Sequence, residues 1–109
     1  MSVGIYKYDG KIDDINHKLV ASKNIASETK YIKYLAPAIR KLNIKVFKDG
    51  SEIGIKDLNI VLHEIDLLIK WVENYVEGLD KEYLLTRLED MKDSIPKLLN
   101  NENDILYIF

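Results

Sequence analysis

His63 and Glu64 are the residues of this sequence whose types and spacing come nearest to a catalytic motif. Zinc hydrolases carry their metal on a helix with the pattern H-E-x-x-H, because residues four positions apart lie on one helical face and can share an ion. The fourth residue after His63 is Leu67, and the other histidine, His17, lies far away in the sequence. The sequence therefore predicts no metal site on this helix.

Other catalytic chemistry also lacks a complete set of residues. His17 lies near Asp13 and Asp14, and a histidine–carboxylate pair can act as a general base, but no serine or cysteine in a strand-to-helix elbow supplies a nucleophile. Adjacent carboxylates such as Glu89 and Asp90 diverge by about 100° on a helix. The isolated glycines form no phosphate-binding loop. We therefore expect a protein that is not an enzyme, with no catalytic residue, metal or cofactor.

Length and composition predict one small cytoplasmic domain. The 109 residues suffice for a single hydrophobic core, so we expect one domain over 1–109. The chain has no cysteine, which excludes disulfides and thiolate metal sites. Its apolar runs are too short to span a membrane, and no apolar signal segment follows the N-terminus. Fifteen isoleucines and fourteen lysines against two arginines are typical of an AT-rich, bacterial genome.

Charge is distributed unevenly along the chain. Residues 1–56 carry eleven Lys/Arg and six Asp/Glu, a net charge of +5, whereas residues 57–109 carry five Lys/Arg and twelve Asp/Glu, a net charge of −7. The two halves can interleave in the fold, or they can form a basic and an acidic face whose field selects a partner. The acidic second half favours a basic protein as the partner.

A nucleic-acid-binding regulator is the alternative hypothesis, because region 30–48 is basic. Clustered positive charge binds phosphates, and Tyr34 within this region could stack on a base. The basic residues are Lys30, Lys33, Arg40, Lys41, Lys45 and Lys48. The whole protein is nevertheless acidic, with an isoelectric point near 5.7. The composition therefore favours a protein partner over nucleic acid.

The start of the chain predicts a strand followed by a helix. Residues 2–8 are typical of a strand, and the Asp-Gly pair that follows is a strong turn signal. A two-residue hairpin there would pair Tyr8 with Lys11 and would leave no common apolar face. We therefore expect a helix over 13–23 in place of a second strand.

A helix over 28–42 and a hairpin over 44–55 are predicted next. Ser27 is a favourable N-cap for the helix, Asn43 is a favourable left-handed residue after its end, and Pro37 predicts a kink or break. In the hairpin, an Asp-Gly turn of type I′ places two apolar cross-strand pairs on one face.

The second half predicts two helices and a final strand. Asp57 is a favourable N-cap for a helix to about residue 77, and Gly78 follows the end of that helix. Asp80 is a favourable N-cap for a second helix to at least residue 94. Residues 105–109 are apolar on both faces, which is typical of a central strand. The fold class is thus α+β in the order β-α-α-β-β-α-α-β. Its small four-stranded sheet, formed by the N-terminal strand, the 44–55 hairpin and the C-terminal strand, packs with about four helices.

The helix from Leu58 has a broad core stripe and a second apolar stripe. At 100° per residue, Ile60, Leu67 and Trp71 fall together, and Glu64 lies between the two stripes. If the second stripe is buried, Glu64 needs a lysine or backbone partner. If it is exposed, the stripe is a protein-binding surface with an acidic rim.

These features together predict a small non-enzymatic protein-binding module. The hypothesis is an inhibitor of the immunity-protein or antitoxin type, whose acidic second half covers a basic partner such as a nuclease toxin. Acidic side chains would meet Lys/Arg of the partner, and Trp71 or Tyr75 would anchor the contact. The candidate partner-binding residues are Glu64, Asp66, Trp71, Glu73, Tyr75 and Glu77. A structural subunit that dimerises through its C-terminal strand is a further alternative.

Overall fold

One antiparallel sheet with helices packed against it forms the fold. A computed structural model describes residues 2–9 and 18–109, and its strands follow the order β2-β1-β4-β3. The strands are β1 (Ser2–Asp9), β2 (Lys18–Ser27), β3 (Glu52–Gly54) and β4 (Ile105–Ile108), and the α-helices are α1 (Glu28–Lys30), α2 (Ala36–Leu42), α3 (Leu58–Tyr75) and α4 (Gly78–Leu98). The α+β class and the four-stranded sheet are confirmed, but the predicted order of elements is wrong in the first half.

The second element is the strand β2, so the helix predicted over 13–23 is wrong for residues 18–23. β2 pairs antiparallel with all of β1, with two register shifts. Tyr8 lies opposite Leu19, so the strands are not joined by a two-residue loop. The helix would have buried Leu19, which is 54% exposed in the strand. Pairing with β1 satisfies backbone groups along ten residues, and this non-local interaction outweighs the local apolar spacing. Residues 13–17 of the predicted helix lie outside the described residues.

The helical stretch over 28–42 is continuous, and a wide turn replaces the break expected at Pro37. Tyr31–Leu35 forms a π-helix in which Ala36 donates its N–H to the Tyr31 carbonyl. This turn shifts the hydrogen-bonding register, so Pro37 lies in the first turn of α2. Proline has no N–H to donate, and the wider π-helical turn before it accommodates Pro37 without a break in the helical stretch.

The helix ends follow the sequence signals in part. Ser27 caps α1 through its side chain, and Asn43 ends α2 with a φ of 59°, both as predicted. Asp57 precedes α3, but its carboxylate accepts a backbone N–H three residues earlier and so stabilises a 3-10 turn. α4 begins at Gly78, and the predicted cap Asp80 lies in its first turn.

α3 and α4 pack together on one face of the sheet and supply much of the core. Their apolar stripes are buried as predicted, and strand residues complete the core from below. The buried residues of these elements include Val61, Ile65, Leu68, Ile69 and Val72 of α3, Leu84, Leu88, Met91 and Ile95 of α4, and Ile5, Ile53 and Leu106 of the sheet.

The other face of the sheet carries aromatic side chains from the two central strands. Tyr6 stacks on Phe109 with ring centroids 4.4 Å apart, and Tyr8 meets Tyr107 edge-on at 6.0 Å. β4 is central, as its apolar faces predicted, and it pairs with β1 on one side and β3 on the other. In the described sheet β4 is therefore not an edge strand.

Candidate functional site

Glu64 is a buried anchor for the loop that precedes α3. Its side chain is 6% exposed, and its carboxylate accepts the backbone N–H groups of Lys45 at 2.7 Å, Val46 at 3.0 Å and Phe47 at 2.8 Å. Three successive N–H groups form a concave anion site, and the anion here is the protein's own carboxylate. The predicted hairpin over 44–55 is wrong for this reason, because the N–H groups of its first strand bind Glu64.

The turn in this loop also differs from the predicted type I′. A hydrogen bond of 3.2 Å closes it over residues 48–51, as in a β-turn. Gly50 has a φ of 90°, whereas Asp49 is not among the described residues with positive φ. A positive φ at the third position alone is the pattern of a type II turn. Tyr31 holds the loop from the π-helix, because its hydroxyl accepts the Asp49 N–H at 2.9 Å.

Trp71 and Tyr75 form an aromatic pair at the C-terminal end of α3. Their ring centroids lie 4.5 Å apart at an interplanar angle of 41°. Trp71 and Leu67 are half-buried and pack against the core, whereas Tyr75 is 69% exposed and Ile60 is 51% exposed. The second stripe is thus covered in its middle, where Glu64 is paired, and uncovered towards both ends.

The predicted acidic residues lie on the other side of α3. Asp66 pairs with Lys92 of α4 at 2.8 Å, so this side of the helix faces α4. Glu73 follows Asp66 by about two turns and shares its face, because helical residues seven apart are nearly aligned. Glu64 and Trp71 have the same spacing and share the opposite side. The structure therefore brings Trp71 and Tyr75 together and separates them from Asp66 and Glu73 along most of the helix.

The two sets converge where α3 ends and α4 begins. We call the surface formed by Trp71, Tyr75, Glu77 and Leu79 the aromatic corner. Gly78, with a φ of 69°, reverses the chain between the helices, and Leu79 in the first turn of α4 is 83% exposed. The sequence analysis missed Leu79, although the predicted helix end at Gly78 was the signal that the next apolar residue would lie at a corner.

Residues 71–80, which include the aromatic corner, contain acidic and no basic side chains. The last turn of α3 contains no basic residue, and the terminal carbonyls of a helix carry partial negative charge. Glu73 and Glu77 are exposed and form no salt bridge within the described part of the chain. The corner thus combines exposed apolar side chains with a carboxylate rim, which suits a protein surface that contains Lys or Arg.

Asp80 fixes the aromatic corner to the 28–42 helical stretch. Its carboxylate accepts hydrogen bonds from Lys30 Nζ at 2.9 Å and from the Tyr34 hydroxyl at 2.6 Å. The Lys30 ammonium and the Tyr34 hydroxyl stabilise the ionised carboxyl, so the pKa of Asp80 lies below its ordinary value of 3.8. The same contact raises the pKa of Lys30. The start of α4 is therefore held at two points.

The basic and acidic halves of the sequence interleave in the fold. Three salt bridges join them: Lys7–Asp104 at 3.2 Å, Lys23–Asp90 at 3.1 Å and Lys30–Asp80 at 2.9 Å. These pairs neutralise part of the charge asymmetry along the sequence.

The basic region 30–48 remains largely unpaired. Lys30 binds Asp80, and Lys33 lies 5.2 Å from the centre of the Tyr34 ring. The other four basic side chains are exposed and form no salt bridge among residues 2–9 and 18–109. They are Arg40, Lys41, Lys45 and Lys48.

The described residues contain neither a cluster of metal-binding side chains nor a membrane-spanning helix. His63 is exposed on α3, and the described residues contain no group of three or more His, Cys, Asp or Glu side chains that could hold a metal ion. His17 lies outside the described residues. No helix of residues 2–9 and 18–109 is long and apolar enough to cross a bilayer. The chain matches no known protein family, no curated protein and no solved structure.

Proposed function

We propose that this protein is a non-enzymatic binding module that docks a basic protein at the aromatic corner. The observation that carries the proposal is the Trp71–Tyr75 ring pair, in which Tyr75 is 69% exposed, near the junction of two long packed helices where Leu79 is also exposed. Exposed aromatic anchors on a rigid framework are typical of protein-binding hot spots. Such apolar exposure would otherwise reduce solubility without a compensating gain.

The sign of the partner's charge follows from the rim of the corner. Glu77 at the corner, Glu73 on the opposite side of α3 and the carbonyl end of α3 would together attract Lys or Arg side chains during encounter, and the ring faces of Trp71 and Tyr75 can accept a cation. A cytoplasmic inhibitor of the immunity-protein or antitoxin type, which covers the basic site of a nuclease toxin, would bind in this way. Glu64 supports this surface indirectly, since it fixes the loop beside α3.

Charge reversal tests the docking site. The partner captured with the tagged protein from its native cell is immobilised, and association rates are measured for the wild type, Glu73→Lys/Glu77→Lys and Glu89→Lys/Glu102→Lys. We expect the first double variant to associate more slowly, on the order of tenfold at low salt, because rim charges steer encounter. The second carries the same change in net charge at two other exposed positions and should associate at close to the wild-type rate. Equal rates for the two double variants would place the contact elsewhere.

A nucleic-acid-binding regulator is the second candidate, supported by the exposed, unpaired cations of region 30–48. A gel shift with duplex DNA and with single-stranded RNA tests it. Binding through phosphates should fade steeply as salt rises, and Arg40→Gln/Lys41→Gln should weaken it. The protein-docking proposal predicts no shift at physiological salt.

A further inference from the structure

The outer edge of β2 presents an unpaired template for another strand. Gly4 donates its N–H to the Phe109 carbonyl at 2.9 Å and accepts the Phe109 N–H at 3.1 Å, so its backbone groups point towards β4. Asn24, its partner on β2, therefore directs its own N–H and C=O outwards, because bonded and non-bonded pairs alternate in an antiparallel ladder. The same alternation applies to Ser22, opposite Tyr6. Ser22 and Asn24 are exposed, so this stretch of edge is accessible.

α4 runs antiparallel to this edge and forms a groove with it. Three contacts cross between them: Tyr83 Oη accepts the Ser27 N–H at 3.2 Å, Arg87 Nη1 donates to the Asn24 carbonyl at 3.5 Å, and Lys23 pairs with Asp90 at 3.1 Å. A cavity of about 600 Å³ lies along this side of α4 and is lined by α4 residues alone, three of which (Tyr83, Arg87 and Asp90) contact β2; the lining residues are Leu79, Glu82, Tyr83, Thr86, Arg87 and Asp90. From Lys23 to Ser27 the edge measures about 13 Å at 3.3 Å per residue, which matches an extended segment of about four residues.

Arg87 is the available cation of this groove. Its guanidinium lies 5.1 Å from the centre of the Tyr83 ring, and its contact with the Asn24 carbonyl, at 3.5 Å, is long for a hydrogen bond. The neighbouring cations Lys23 and Lys30 each pair with a carboxylate, whereas Arg87 has no carboxylate partner in the described part of the chain. A guanidinium held flat on a ring can bind a carboxylate through two parallel hydrogen bonds.

We propose that an extended, carboxylate-bearing segment of a partner protein binds as a fifth strand along β2. Its backbone would pair with Ser22 and Asn24, and it would replace the long Arg87–Asn24 contact. The released guanidinium would bind the carboxylate of the segment, and alternate side chains would enter the groove beside α4. A second copy of this chain fits less well, because β2 contains no Asp or Glu that could bind Arg87 when two β2 edges pair. This site shares Leu79 with the aromatic corner, but Trp71, Tyr75 and Glu77 do not line the groove.

A peptide selection tests the proposal with the whole protein. Random octapeptides displayed on phage are selected on the immobilised wild type, and enriched peptides are synthesised and titrated. We expect enrichment of extended, alternating sequences with Asp or Glu, and shifts of the Ser22 and Asn24 amide resonances on binding. Arg87→Gln should weaken binding on the order of tenfold, as loss of a charge-assisted hydrogen bond predicts. Lys97→Gln, which removes the same charge from an exposed position on α4, should bind within about twofold of the wild type.

Three results would overturn this assignment: no enriched peptide, equal affinity for Arg87→Gln and the wild type, or unshifted Ser22 and Asn24 amides in the complex. Dimerisation of Arg87→Gln, seen by light scattering, would instead assign Arg87 to the protection of the β2 edge. Tyr75→Ala should leave peptide affinity unchanged, since Tyr75 belongs to the aromatic corner. The proposal for the groove and the proposal for the aromatic corner can therefore be refuted separately.

Discussion

Replacement of Glu64 is expected to destabilise the protein strongly, because one buried carboxylate satisfies three backbone N–H groups. A hydrogen bond to a charged group contributes about 1.5–3 kcal/mol net. If they were additive, the three bonds at 2.7, 3.0 and 2.8 Å would contribute three times that value. Water and loop relaxation recover part of the loss, so we expect Glu64→Ala to lower the free energy of unfolding by about 3–5 kcal/mol. Glu64→Gln keeps the shape but turns an N–H₂ towards the donors, and we expect a loss of about 2 kcal/mol.

Urea unfolding followed by circular dichroism measures these losses, with His63→Gln as the control. His63 is exposed and adjacent in sequence, so its replacement should change the free energy of unfolding by less than about 0.5 kcal/mol. Hydrogen exchange adds a local readout, since the amides of Lys45, Val46 and Phe47 should lose protection in both Glu64 variants. Unfolding of Glu64→Gln at the wild-type urea concentration, together with unchanged exchange rates of these three amides, would contradict the anchoring role of Glu64.

Three further predictions concern the elements that support the two surfaces. Gly4→Ala places a Cβ 2.7 Å from the Lys23 carbonyl oxygen, so we expect a loss of about 1–3 kcal/mol in urea unfolding; wild-type stability would contradict the close β1–β2 approach. Lys7→Met removes the half-buried ion pair with Asp104 and should lower the free energy of unfolding by about 2 kcal/mol in the same assay. Wild-type stability of this variant would show that the pair contributes no net stability. Asp80 has a lowered pKa in the folded state, so its contribution to stability is present above its ordinary value of 3.8 and is lost as pH falls through the lower folded value. Measured from pH 5 to pH 2, the free energy of unfolding should therefore fall less steeply below pH 3.8 for Asp80→Asn than for the wild type. An unchanged slope would contradict the role of this contact.

The helical second half of the fold could be predicted from local pattern because its elements are long and strongly periodic. The stripes of α3 and α4 are buried as their spacing indicates, and β4 is central as its two apolar faces indicate. The first half could not be predicted in this way. β2 depends on pairing with β1, and the loop over residues 43–51 depends on Glu64, a residue of a later helix. Local apolar alternation favoured a hairpin there, but the Glu64 carboxylate accepts the backbone N–H groups of the predicted first strand.

Part of the candidate site could likewise be predicted from local sequence pattern, and the rest depends on packing between distant segments. The sequence indicated that Glu64 required a partner if buried, and that Trp71 and Tyr75 could anchor a contact. Helical spacing in the sequence also places Asp66 and Glu73 on the side of α3 away from Trp71, so the six candidate residues do not share one face of the helix. The groove beside Arg87 arises from the packing of α4 on β2, a strand that local pattern had predicted as a helix.

Affinity at the aromatic corner tests the central proposal most directly. Trp71 is the only tryptophan of the chain, so its fluorescence reports contact at the corner during titration with the captured basic partner. Tyr75→Ala and Leu79→Ala alter exposed side chains and should each leave the free energy of unfolding within about 0.5 kcal/mol of the wild type. Docking at the corner predicts a shift in Trp71 emission and a Kd raised at least about tenfold by Tyr75→Ala. An unchanged emission spectrum on binding, together with wild-type Kd values for both variants, would contradict it.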